Sequence, residues 1–89
     1  MADAQVKITD LKNGISACKI CIGELKATAN ELMRDYQNAG SNWKDEQYAS
    51  LGEIVENCCD AIQEPIPKLE DCLEWLQNLT ALVEEYEGG

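Results

Sequence analysis

The chain contains no histidine. His-based acid–base catalysis and Cys–His or Ser–His nucleophile pairs are thereby excluded, as is a bundle di-metal site built on Glu-x-x-His. Basic residues are scarce: 7 Lys and Arg stand against 17 Asp and Glu, a formal charge of −10. A surface of this sign repels a phosphate backbone, which argues against nucleic-acid binding. No run approaches the roughly 18 consecutive apolar residues of a membrane-spanning helix, so no membrane insertion is expected. The start, Met1-Ala-Asp-Ala-Gln, has neither a basic n-region nor an apolar core, so no Sec-type signal peptide is expected. The expected location is the cytoplasm, or the exterior by a route that needs no such signal. Proline is confined to Pro65 and Pro67.

What remains is 89 residues, 45% of them hydrophobic. That is enough for one small folded domain, 1–89, and too apolar for a disordered acidic tail. The charge is divided unevenly. Residues 1–42 carry five basic and five acidic side chains, whereas residues 43–89 carry two basic and twelve acidic ones.

Apolar residues in the first half fall at Ile8, Leu11, Ile15, Cys18, Ile22, Leu25, Ala29, Leu32 and Tyr36, in alternating steps of three and four. This is the a/d seam of a helix facing one partner helix, and it predicts a helix over about 6–39. Gly14 and Gly23 lie off that seam, each costing about 1 kcal/mol relative to Ala. At Gly40-Ser41-Asn42 the pattern stops. Gly40 suits a left-handed helix end, and Ser41 or Asn42 suits the N-cap of a second helix.

The rhythm resumes at Tyr48, Leu51, Val55, Cys58, Ile62, Pro65, Leu69, Cys72, Leu76, Leu79, Val83 and Tyr86. Pro65 removes a helical hydrogen bond, so a break or kink near Glu64 is expected. Because the seam keeps its phase across Pro65, we expect one kinked helix over about 43–86, with two helices over 43–63 and 66–86 as the alternative. The short connection at 40–42 makes the pair antiparallel. The expected fold is all-α: a helical hairpin with a kinked second helix.

The second half is too apolar for one partner helix. Ile54, Trp75 and Leu82 flank the seam on one side, Ile66 and Leu73 on the other. These five residues are the expected interaction surface. A four-helix bundle made from two hairpins is the simplest way to cover them, and a three-helix bundle folding back at Pro65 is the alternative. Lys12, Lys19 and Lys26 recur every seven residues beside the first seam and could pair with acids such as Glu53, Glu56, Glu64 or Asp71.

Trp43 directly follows the turn, and its ring is expected to cover the hairpin end near Met33 and Tyr36. With a central Trp, a start without a leader and two amphipathic arms, the chain resembles the WxG-motif family of small type VII (ESX) secretion substrates. The motif Trp maps onto Trp43, Asp45 stands in place of the motif Gly, and Tyr48 fills the aromatic position a turn later. The family's Tyr-x-x-x-acid export signal has no counterpart at Tyr36 or Tyr48, which are followed at that spacing by Gly40 and Gly52. The resemblance implies a non-enzymatic helical hairpin that is secreted, or that serves as a co-secreted adaptor or chaperone of a larger effector. Its partner would be a second copy or a related hairpin, such as a toxin's N-terminal domain. The alternative is a cytosolic acidic helical regulator or protein mimic that occupies a basic site. A partner offering an apolar groove rimmed by Lys or Arg suits the acidic second half better than a second copy does.

Of the five cysteines, Cys18, Cys58 and Cys72 fall on the predicted seam and Cys21 and Cys59 lie beside it. Core packing is the first expectation. With Tyr36 opposite Tyr48, Cys18 falls opposite about residue 66, and only Cys21–Cys58 comes near to bridging. Cys18-x-x-Cys21 lacks the second ligand pair of a structural zinc site, so neither metal nor cofactor is expected. The closing Gly88-Gly89 is read as a frayed terminus, and no carboxylate can be assigned to a pocket. The expected protein is not an enzyme.

Overall fold

The computed structural model describes residues 7–43 and 45–88. Three helices follow one another: α1 (Ile8–Ala39), α2 (Glu46–Gln63) and α3 (Ile66–Gly88). Among the described residues there is no strand, and no helix is long and apolar enough to cross a membrane. The expected start of α1 at Val6 lies outside the described residues. The chain forms two compact units, residues 23–66 and residues 1–22 with 67–89.

Residues 23–66 make a helical hairpin from the second part of α1, the turn and α2. Its core is Ala29, Val55 and Cys59, against which Leu32, Met33, Tyr36, Leu51 and Ile62 pack. Ala29 is 1% exposed. Its small side chain lets α2 approach until the Cys59 thiol donates to the Ala29 carbonyl at 3.5 Å. The rings of Tyr36 and Tyr48 meet at the turn end, as the sequence register requires.

In the other unit the first part of α1 pairs with α3. A Cβ at Gly14 would lie 3.7 Å from Leu76 Cδ1, and Lys12 Nζ pairs with Glu84 at 3.4 Å. The ion pair therefore forms with an acid outside the set named from the sequence. Both its side chains are about half exposed, so it guides alignment more than it stabilises. Thr80, the one buried polar residue among the described residues, donates from Oγ1 to its own helix at the Leu76 carbonyl, 2.7 Å away.

The break expected near Glu64 falls at Glu64–Pro65 and divides the second half into two helical segments, as in the alternative reading. α2 stops at Gln63, a turn occupies Glu64 and Pro65, and α3 begins at Ile66. Glu64 still has helical angles and donates to the Asp60 carbonyl at 2.8 Å. The interruption follows because neither Pro65 nor Pro67 has an N–H to continue the ladder.

The inner stripe of the second half also differs from the expected seam. Val55, Cys59, Ile62, Ile66, Leu69, Leu73, Leu76, Thr80 and Val83 are buried or half-buried, whereas Cys58, Pro65, Cys72 and Tyr86 are exposed. The steps remain alternately four and three, but from Cys59 onward one of the two rows is displaced by a single residue, with Leu79 of the expected seam still half-buried. Pro65 therefore lies on the outside.

Candidate interaction surface

The turn is built by short-range hydrogen bonds. Gly40 N–H is shared between the carbonyls of Tyr36 and Gln37, both at 3.1 Å, and the Ser41 hydroxyl donates to the Asn38 carbonyl at 2.8 Å. Among the described residues no glycine has a positive φ, so Gly40 is not the left-handed helix end expected from sequence. Its role is steric: a Cβ there would run into the Tyr48 ring and hydroxyl.

Neither Ser41 nor Asn42 caps α2. Asp45 does so, with φ −119° and ψ −176°, its Oδ1 accepting the Tyr48 N–H at 3.0 Å. The helix thus starts at Glu46, three residues later than expected. The Trp43 side chain and then the Tyr48 backbone N–H hydrogen-bond the Asp45 carboxylate, and together they hold it below the usual carboxylate range. Asp45 is thus a charged cap whose carboxylate lies beside the Trp43 side chain.

Trp43, Asp45 and Tyr48 are therefore brought together. The Trp43 ring centroid lies 5.7 Å from that of Tyr48, tilted by 58°. Tyr48 in turn stacks on Tyr36 at 4.3 Å and 4°. Trp43 covers the hairpin end through Tyr48, and it also lines a hollow of about 480 Å³ with Glu46, Gln47, Ser50, Leu51 and Ile54. Ile54 is 59% exposed on the rim of this hollow.

The five nominated surface residues separate into two groups. Ile54, Trp75 and Leu82 are exposed, the latter two at 67% and 55%. Ile66 is 7% exposed and Leu73 half-buried, so these two belong to the inner stripe and not to an outer face. Within α3, Trp75 and Leu82 lie one heptad apart and share a face. Ile20, on the α1 part of the same unit, is 60% exposed and had no place in the sequence reading, because a single apolar residue off the seam carries no periodic signal.

The cysteines do not form a common core either. Cys59 is buried, Cys18 half-buried, and Cys21, Cys58 and Cys72 exposed, all as free thiols. Among the described residues, no group of three or more Cys, Asp or Glu side chains is placed to hold a metal ion.

The fold defines a class, the all-α helical hairpin, but that class hosts many activities. Compared with known protein families, with curated proteins and with solved structures, the chain matches none.

Proposed function

We propose that the protein is a non-enzymatic interaction module that presents apolar helix faces to a protein partner. The observation carrying this reading is the exposure of Trp75 and Leu82 on one face of α3. Large apolar side chains left wet forgo about 1.5–3 kcal/mol each, which a partner recovers. The second half of the chain carries the surplus acid, so the fitting partner offers an apolar groove rimmed by Lys or Arg. A second copy would bring its own acids to the contact.

The turn cluster of Trp43, Asp45 and Tyr48 supports assigning this module to the WxG-like hairpins of type VII secretion, as substrate or as co-secreted adaptor of a larger effector. A four-helix bundle with a related hairpin is the assembly that this role predicts. Light scattering on the protein purified from its source tests the reading. A defined complex that Trp75→Glu and Leu82→Glu together reduce to the single chain, with helicity retained, supports it. A 9.9 kDa monomer from the source would overturn it.

A further inference from the structure

Three of the five thiols belong to the unit made by the first part of α1 and α3: Cys18, Cys21 and Cys72. The two helices run antiparallel there, and Leu76 lies over Gly14. One helical turn further along α1 from Gly14 is Cys18. One turn back along α3 from Leu76 is Cys72. Stepping four residues in opposite directions on antiparallel helices keeps the two positions opposite each other. The Cys72 side chain is also, after burial, among the neighbours that push the Cys18 thiol upward, in keeping with that register. Facing positions one turn from so close a helix approach are where two cysteines can come within the reach of a disulfide.

We propose that Cys18 and Cys72 are a dithiol that hydrogen peroxide converts to a disulfide, covalently tying α1 to α3.

The chemistry balances in two steps. Cys72 is exposed and Cys18 half-buried, so the Cys72 thiolate meets the oxidant first. Its sulfur attacks one peroxide oxygen, the O–O bond breaks, and the departing hydroxide takes up a proton as water, leaving Cys72 as a sulfenic acid. The Cys18 sulfur then attacks the Cys72 sulfur. The S–O bond breaks, the S–S bond forms, and the Cys18 proton leaves with the hydroxyl as a second water. Two thiols lose two electrons, and one peroxide is reduced to two waters.

Burial first, then the Cys72 and Cys21 neighbours, push the Cys18 thiol upward. Cys18 is thereby kept as the resolving partner and not the first nucleophile. Its place opposite Cys72 lets the second step outrun a further peroxide, which would carry Cys72 on to sulfinic acid. The bond closes a loop through residues 19–71, and long loops restrict the unfolded chain most.

Trypsin separates the candidates. Cys18 falls in the peptide Asn13–Lys19, Cys21 in Ile20–Lys26, and Cys72 in the segment from Leu69 onward, while Cys58 and Cys59 share a peptide ending at Lys68. The reduced full-length protein is titrated with hydrogen peroxide and mapped without reductant. The expected result is loss of two hydrogen atoms from the intact mass, a cross-link between the Cys18 and Cys72 peptides, and a Tm raised by several degrees that dithiothreitol reverses. Cys58→Ser keeps this behaviour. Cys72→Ser abolishes the cross-link and the Tm rise. A dominant link from Cys72 to Cys21, links only between chains, or accumulation of Cys72 sulfinic acid in place of the bond would each overturn the proposal. The wild-type map stands whatever the folding of the variants.

Discussion

Tyr36 and Tyr48 hold each other reciprocally. The Tyr36 hydroxyl donates to the Tyr48 carbonyl at 3.2 Å, and the Tyr48 hydroxyl donates to the Tyr36 carbonyl at 2.8 Å. A glycine follows each tyrosine by four residues, at Gly40 and Gly52, and each hydroxyl occupies the space that a Cβ on the other's glycine would fill. The geometry explains the repeated Tyr-x-x-x-Gly. In a helix, residue i+4 stands over the carbonyl of residue i, so only glycine there lets a hydroxyl from the facing helix reach that carbonyl.

Substituting these glycines tests the arrangement. Gly40→Ala and Gly52→Ala should each destabilise by about 1–3 kcal/mol, the usual cost of forcing atoms into an occupied space. Gly23→Ala, where a Cβ meets nothing within 4 Å, should stabilise by about 1 kcal/mol through helix propensity. Thermal unfolding followed by circular dichroism measures all three, and a stabilising Gly40→Ala would contradict the tyrosine packing.

The Asp45 cap predicts acid sensitivity. Its carboxyl is held below the ordinary range, so it contributes stability above the unfolded pKa, and this contribution is lost as pH falls through the folded one. Asp45→Asn should keep the cap at neutral pH and flatten the decline below about pH 4. Asp45→Ala should lower Tm at neutral pH as well. Urea melts across an acid series separate the two variants.

Tyr36 acts at the other end of the scale. Burial, and after it the Tyr48 and Glu56 neighbours, raise its pKa. The folded state thus favours the neutral phenol, a contribution that is complete below the unfolded pKa and lost as pH rises through the folded one. Stability should fall above about pH 10, and Tyr36→Phe should reduce that fall. Spectrophotometric titration at the phenolate band should show one tyrosine ionising late.

Inner and outer faces predict opposite responses. Ile66→Ala empties a buried site and should cost about 2–5 kcal/mol. Trp75→Ala, at an exposed position, should change the stability of the single chain by no more than about 0.5 kcal/mol. Chemical denaturation gives both values, and equal losses would mean that Trp75 is covered.

Thiol labelling should be graded under native, reducing conditions. Cys21, Cys58 and Cys72 should react first, Cys18 later, and Cys59 last, since it is buried and hydrogen-bonded to Ala29. Peptide-resolved alkylation rates report the order, and rapid reaction at Cys59 would contradict the Ala29–Val55–Cys59 core.

Much of this architecture is written locally. The nine-position seam of α1 follows from periodicity alone, and every one of its residues is buried or half-buried. The turn at 40–42 and the interruption before Ile66 follow from Gly and Pro chemistry. Sequence alone points to Ser41 or Asn42 as the N-cap, because they directly follow the turn, although Asp45 is as good a cap. The structure selects Asp45, whose carboxylate accepts the Tyr48 N–H and is further held below its ordinary range by the neighbouring Trp43 side chain. The tyrosine–glycine exchange is not legible in the sequence, because its two halves become partners only when the helices face each other.

The amino-acid pattern by itself determined helices, their approximate ends, the antiparallel turn and the acidic second half. Only tertiary structure decided which row of the second half faces inward. Val55, Ile62, Leu69, Leu76 and Val83 are compatible with either neighbouring row, because a heptad and a 3.6-residue turn do not coincide. One row offers Pro65 and Cys72, the other Ile66 and Leu73. Turning the second row inward buries more apolar surface and leaves the proline outside. That rotation also leaves Cys72 exposed on the flank of the stripe, and no pattern read along one helix could have placed it there.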